Sequence, residues 1–216
     1  MRPGLDVRVS FLDHAGPRPA PVLKAFCALG HRSAVVVPLL LTSAYHSRVD
    51  MPAVLAAARA EGLRLDVSLT DVLGPVDGMV HPLLLSALRR RLSPVPSYDG
   101  LVLAAAGTRD AAARSTVDLV ATELGRSLGV PCVAAFASGS PVTGALAVEA
   151  LRASGARRIG VAAYFLACGR LYDTVMDSAR SAGALDPVAE PLGNAVELAR
   201  LVLERVGAPL EVLRAA

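Results

Sequence analysis

His46 is the residue in this sequence with the clearest capacity for chemistry. It stands in LLLTSAYHSRVDMP, just past the apolar run Ala34–Leu41. If that run is a strand of a parallel sheet, His46 falls at its carboxyl end, where such sheets open their ligand crevice. A neutral imidazole there can ligate a metal or take a proton near neutral pH. A loop histidine hydrogen-bonded to backbone fits the same position. Asp13 and His14 follow a second apolar run, in SFLDHAGP. The Asp13 carboxylate can accept a proton or hold a divalent metal beside His46. It can equally form an Asx turn or cap the helix beyond Pro17. His14 is the weaker candidate, because successive residues of an extended chain point to opposite sides.

Other candidates carry less. GTRD (Gly107–Asp110) follows an apolar run and opens a helix, so its backbone N–H groups can hold an anion. It has one glycine and is no nucleotide fingerprint. A strand-to-helix turn with Asp110 near the helix start explains it as well. His31 follows a helix-ending glycine and is expected to face solvent. His81 precedes Pro82 at a helix start, as a cap or surface residue. Arg89, Arg90 and Arg91 complement a helix macrodipole. No GxSxG is present, so a hydrolase reading has little support.

Positioning these groups requires strands and helices in alternation. Short β-branched runs predict strands at Val7–Leu12, Ala34–Leu41, Leu63–Leu69, Leu101–Ala106, Cys132–Phe136 and Arg158–Leu166. Ala/Leu/Arg stretches predict helices at Pro19–Leu29, Val49–Glu61, His81–Leu92, Arg109–Leu128, Pro141–Ser154, Leu171–Ala182 and Asn194–Val206. Ser93–Gly100 (SPVPSYDG) reads as a linker. The alternation implies an α/β fold with mostly parallel sheets covered on both faces.

Composition agrees. The chain is 53% hydrophobic but only 4% aromatic, which suits Ala, Val and Leu cores of helices on sheets. No apolar run approaches the about 20 residues of a membrane helix. The start, MRPGLDVRVS, lacks a signal-peptide core. Cys27, Cys132 and Cys168 form no CxxC pair and no zinc pattern. The expected setting is cytoplasmic, with no membrane partner. A net charge of +3, scattered along the chain, gives no nucleic-acid footprint.

The two halves of the chain can be overlaid. VRVSFLDHAGP (Val7–Pro17) matches VAAFASGSP (Val133–Pro141), with Phe11 over Phe136. AYHSRVD (Ala44–Asp50) matches ACGRLYD (Ala167–Asp173), with Asp50 over Asp173. DVLG (Asp71–Gly74) matches EPLG (Glu190–Gly193). The halves are expected at residues 1–95 and 96–216. The second half opens with a strand, a loop and a long helix, LVLAAAGTRDAAARSTVDLVATELGR, that the first half lacks. In such a sheet the first strand is usually central, and its loss exposes unpaired edges. A misplaced start codon is the expected cause; some other cover for the gap is the alternative.

These segments resemble the sirohydrochlorin chelatases of the CbiX type, the class II tetrapyrrole chelatases. The resemblance rests on SFLDHAGP, VVVPLLLTSAYHSRVDMP, DVLGP (Asp71–Pro75), AAAGTRDAAARSTV and AAYFLACGRLYDTV, and covers nearly the whole chain. It implies two tandem flavodoxin-like halves, the first incomplete, facing each other across a cleft for the macrocycle. It implies insertion of Fe2+ or Co2+ into sirohydrochlorin, for sirohaem or cobalamin synthesis, by a monomer with pseudo-symmetric halves. The divalent metal is a substrate, and no organic cofactor is expected. His46 and Asp13 are the implied catalytic and metal-binding residues, with Arg48 and Arg170 placed to meet substrate carboxylates. The family's other histidine belongs to an AHGSRD-like motif, which survives here as AAAGTRD with Ala106 in the histidine's place. Gly169 stands at the counterpart of His46. A non-catalytic carrier of metal or tetrapyrrole with the same fold is the alternative function, and a partner subunit a third.

Overall fold

A computed structural model describes residues 3–13, 15–42 and 51–207. Its elements are α1 (Pro19–Ala28), β1 (Ser33–Val36), α2 (Met51–Ala60), β2 (Asp66–Leu69), α3 (Pro82–Leu92), β3 (Gly100–Ala105), α4 (Ala111–Leu128), β4 (Cys132–Phe136), α5 (Gly144–Ala153), β5 (Ile159–Tyr164), α6 (Arg170–Ser181) and α7 (Val196–Gly207). Among the described residues there are two parallel sheets, one ordered β1-β2 and one ordered β4-β3-β5. The α/β class and the repeated halves expected from the sequence are both present.

The second half is the better-built unit. Each residue of β3 and β5 is buried. β3 lies between β4 and β5 in register, Leu101 opposite both Cys132 and Gly160. One face of this sheet packs with α3, α4 and α7 through Leu84, Leu88, Leu103, Leu124 and Leu201. The other face packs with α5 and α6 through Val148, Leu151, Val161 and Met176. Two covered faces explain why β3 and β5 are unbroken apolar runs.

The first half departs from expectation at two strands. Val7–Leu12 is not a strand, although its sequence alternates suitably. Val7 is 78% exposed and Val9 57%. Ala34–Leu41, expected as a strand, pairs only at Ser33–Val36, where exposed and half-buried residues alternate. One cause accounts for both. In the second half β3 pairs with β4 on one side and β5 on the other, and the described first half holds no counterpart of β3. Strand propensity reflects packing against neighbours, so without that neighbour Val7–Leu12 has no ladder to join. β1 pairs with β2 alone, through Ser33–Asp66 to Val36–Leu69. A small core of Leu23, Leu55, Leu63, Leu65 and Val67 holds α1 and α2 on this pair.

The repeat nonetheless survives in backbone hydrogen bonds. Phe11 N–H donates to Pro17 C=O and Phe136 N–H to Val142 C=O, each at 2.9 Å. The Phe11-over-Phe136 overlay therefore marks one turn built twice. The ends of α1 and α5 match as well: His31 N–H reaches Phe26 C=O, and Ala156 N–H reaches Leu151 C=O.

Candidate active site at the strand ends

The chain leaving β1 reaches the carboxyl end of β5. Tyr164, the last residue of β5, donates its hydroxyl to the Leu41 carbonyl at 2.7 Å. The neighbouring Leu40 carbonyl accepts from Leu73 N–H at 2.9 Å and Gly74 N–H at 3.2 Å. Gly74 is required at this contact, because a Cβ there would lie 1.9 Å from the Leu41 oxygen. In the second half Phe165 and Leu166 carbonyls accept from Leu192 and Gly193 N–H at 2.8 and 3.1 Å. The DVLG and EPLG turns thus tie down the strand exits of their own halves, as their overlay implied.

An arginine from each half also crosses to the turn of the other. Arg91 of α3 donates to the Leu192 carbonyl and Asn194 Oδ1, both at 2.9 Å, and pairs with Glu190. Arg205 of α7 donates to the Val72 carbonyl at 3.1 Å. The sequence explained Arg91 as a complement to the helix dipole, and that reading missed this role. Bonds between residues about a hundred positions apart carry no local sequence signal.

The candidate site residues fare differently. His46, His14 and Arg48 lie outside the described residues. Asp13 is exposed; its carboxylate faces Arg18 at 3.8 Å, and its carbonyl accepts from Ala15 N–H at 2.7 Å. Arg18 also donates to the Leu12 carbonyl, so the turn after Phe11 is fastened around Asp13. Arg170 opens α6 and is exposed. Among the described residues no group of three His, Cys, Asp or Glu side chains is arranged to hold a metal.

At GTRD the helix start is filled from within. Asp110 is the N-cap of α4, its carboxylate accepting from Ala112 and Ala113 N–H at 2.9 and 3.3 Å. Those donors are the ones an anion would use. Arg114 braces the same loop by donating to the Thr108, Arg109 and Gly139 carbonyls. Gly107, at φ +88°, could not carry a Cβ without meeting the Ser138 carbonyl. His81 is the N-cap of α3: Nδ1 accepts from Leu83 N–H at 3.3 Å, leaving Nε2–H to face Glu204 at 3.1 Å. His31 pairs with Asp6 at 3.3 Å and meets the Phe26 ring edge-on. These groups build structure.

The CbiX family profile matches residues 1–95 and 100–208, nearly the whole chain. The chain belongs to the CbiX family. Solved structures of similar fold include SirB from Bacillus subtilis with Fe3+, at a TM-score of 0.75 and 20% identity over 93% of this chain and 80% of that one. Another is the sirohydrochlorin chelatase SirB from Bacillus subtilis subspecies spizizenii in complex with cobalt, at 0.73 and 20% identity over 92% and 78%. A third is described as CbiX, the terminal enzyme for siroheme biosynthesis in denitrifying bacteria, at 0.61 and 19% identity over 89% and 80%. No curated protein matches the sequence. At these identities the likeness is one of fold. No helix among the described residues is long and apolar enough to cross a membrane.

Proposed function

We propose that this CbiX-family protein inserts Fe2+ or Co2+ into sirohydrochlorin, in the cytoplasm, for sirohaem or cobalamin synthesis. The observation that carries the reading is a family match running through both halves. The solved relatives of the same fold, one with Fe3+ and one with cobalt, support it. The two halves correspond to residues 1–95 and 96–216. They act as one monomer, with the macrocycle between their strand ends.

Insertion replaces two pyrrole N–H protons with one divalent metal ion, so the chain must deliver the metal and take up protons. His46 serves as metal ligand and proton acceptor in this scheme, since neutral imidazole suits both tasks. Asp13 adds negative charge for the cation and a second acceptor. Arg48 and Arg170 meet the substrate's carboxylates, for which a guanidinium offers two parallel donors. Three free thiols among the described residues fit a reducing compartment.

A carrier function is the second reading. It is favoured by Ala106 and Gly169, which stand where histidines would be. Anaerobic mixing of the chain with sirohydrochlorin and Co2+ separates the two. The chelatase reading expects catalytic turnover to the metallated absorbance spectrum, faster than without protein. Binding of tetrapyrrole or metal with no acceleration establishes the carrier and overturns the enzyme.

A further inference from the structure

We infer that Arg91 and Arg205 are positioning residues, a reciprocal latch that couples the strand exit of one half to that of the other and sets the opening offered to the macrocycle. The latch stands on bonds between described residues; its role toward the macrocycle rests on the chelatase reading above.

The two arginines are counterparts. Each is the tenth residue of the last helix of its half, Arg91 in α3 and Arg205 in α7. The helices lie antiparallel, bridged at one end by His81 and Glu204 at 3.1 Å and at the other by Arg90 and Glu197 at 3.2 Å. Exchange of like contacts between two like elements marks a two-fold relation. The arginines obey it. Arg91 donates to the Leu192 carbonyl of the second-half turn, and Arg205 to the Val72 carbonyl of the first-half turn. Each carbonyl sits beside the N–H groups that hold a strand exit. Leu73 and Gly74 N–H hold the Leu40 carbonyl, and Leu192 and Gly193 N–H hold the Phe165 and Leu166 carbonyls. The last helix of one half thus steers the exit of the other through a single turn.

Helix-end charge does not account for the pair. A cation in the last turn complements the helix dipole while pointing into solvent. Both arginines are instead half-buried and committed to carbonyls of the opposite half. Between them α3 and α7 share one core, with Leu84, Leu88 and Leu201 each 1% exposed or less and Leu198 6%. Such close packing moves as a body and transmits displacement. A change in the angle between the halves therefore shifts both latches together, and a loosened latch at one turn is felt at the other.

The test is native-state hydrogen exchange on Arg205→Met in the full chain. Exchange at the Leu192 and Gly193 amides, in the turn held by the other arginine, should rise about tenfold while the Leu103 amide of β3 is unchanged. Arg91→Lys keeps the helix-end charge but lacks the fork that spans the Leu192 carbonyl and Asn194. It should speed the Leu73 and Gly74 amides in return. In an absorbance titration with sirohydrochlorin, Arg91→Met and Arg205→Met should each weaken binding about tenfold. The double variant should lose about as much as either single one, because both act on one angle. Faster exchange confined to the turn that the replaced arginine contacts, or spread to Leu103, overturns the latch. A double variant that loses about a hundredfold shows two separate supports and overturns it as well. Unchanged affinity in both single variants overturns the role toward the macrocycle. A wild-type chain that binds no sirohydrochlorin and inserts no Co2+ overturns the chelatase reading, and the exchange measurement then decides the latch by itself.

Discussion

The Asp99 carboxylate sits at the joint between the halves and accepts from the Arg158 and Arg157 backbone N–H groups at 2.7 and 2.9 Å. Those two bonds hold its carboxyl below the ordinary carboxylate range. A depressed folded value means the stabilisation is present above about pH 3.9, where the unfolded carboxyl ionises, and is lost as pH falls through the folded value. Asp99→Asn should therefore melt below wild type at pH 7, and the gap should shrink in scans taken toward pH 3. A gap of constant size at all pH values would show that the carboxylate's charge has no part. Asp110 and His81 show the same kind of bond at helix starts, and both roles follow from residue type next to a helix. What the sequence could not separate was a capping carboxylate from an anion site, because the same N–H groups serve either. Nor could it find Tyr164, whose partner is 123 residues away. Cys132 is another residue whose character is set by fold: burial pushes its thiol up to about 12, which makes it inert at neutral pH.

At the scale of elements, periodicity found each helix among the described residues to within a few residues. It failed at two first-half strands, for which the described residues hold no counterpart of β3. Alternation in Val7–Leu12 reports a capacity to pair, while pairing itself needs a neighbouring strand. β1 stops at Val36, whereas the apolar run continues to Leu41, for the same reason. These differences have a measurable consequence. β3 is paired on both sides and buried throughout, while β1 is paired on one side among the described residues. Native-state hydrogen exchange should find the β3 and β5 amides among the last to exchange and the β1 and β2 amides well before them, since opening energies scale with local burial and pairing. Equal protection of β1 and β3 would mean that the first half has a partner strand in solution.

For the whole molecule, the repeat is the organising fact. Three short sequence matches predicted it, and the matched turns after Phe11 and Phe136 and the tied-down strand exits carry it in three dimensions. How the halves hold each other was not legible. Arg91 reaches the second-half turn and Arg205 the first-half turn, a reciprocal exchange that composition and spacing do not encode. α3 crosses over as well, burying Leu84 and Leu88 in the core of the second half. The halves are therefore not independent supports, and the turns at their strand exits are held from both sides. The proposed function has metal inserted through His46. The most direct measurement is the rate of Co2+ insertion into sirohydrochlorin by His46→Ala beside wild type, with circular dichroism on both. The account predicts an unchanged fold and a loss of at least about a hundredfold, the scale for removing one proton-transfer group. A His46→Ala chain that inserts Co2+ at the wild-type rate would contradict it.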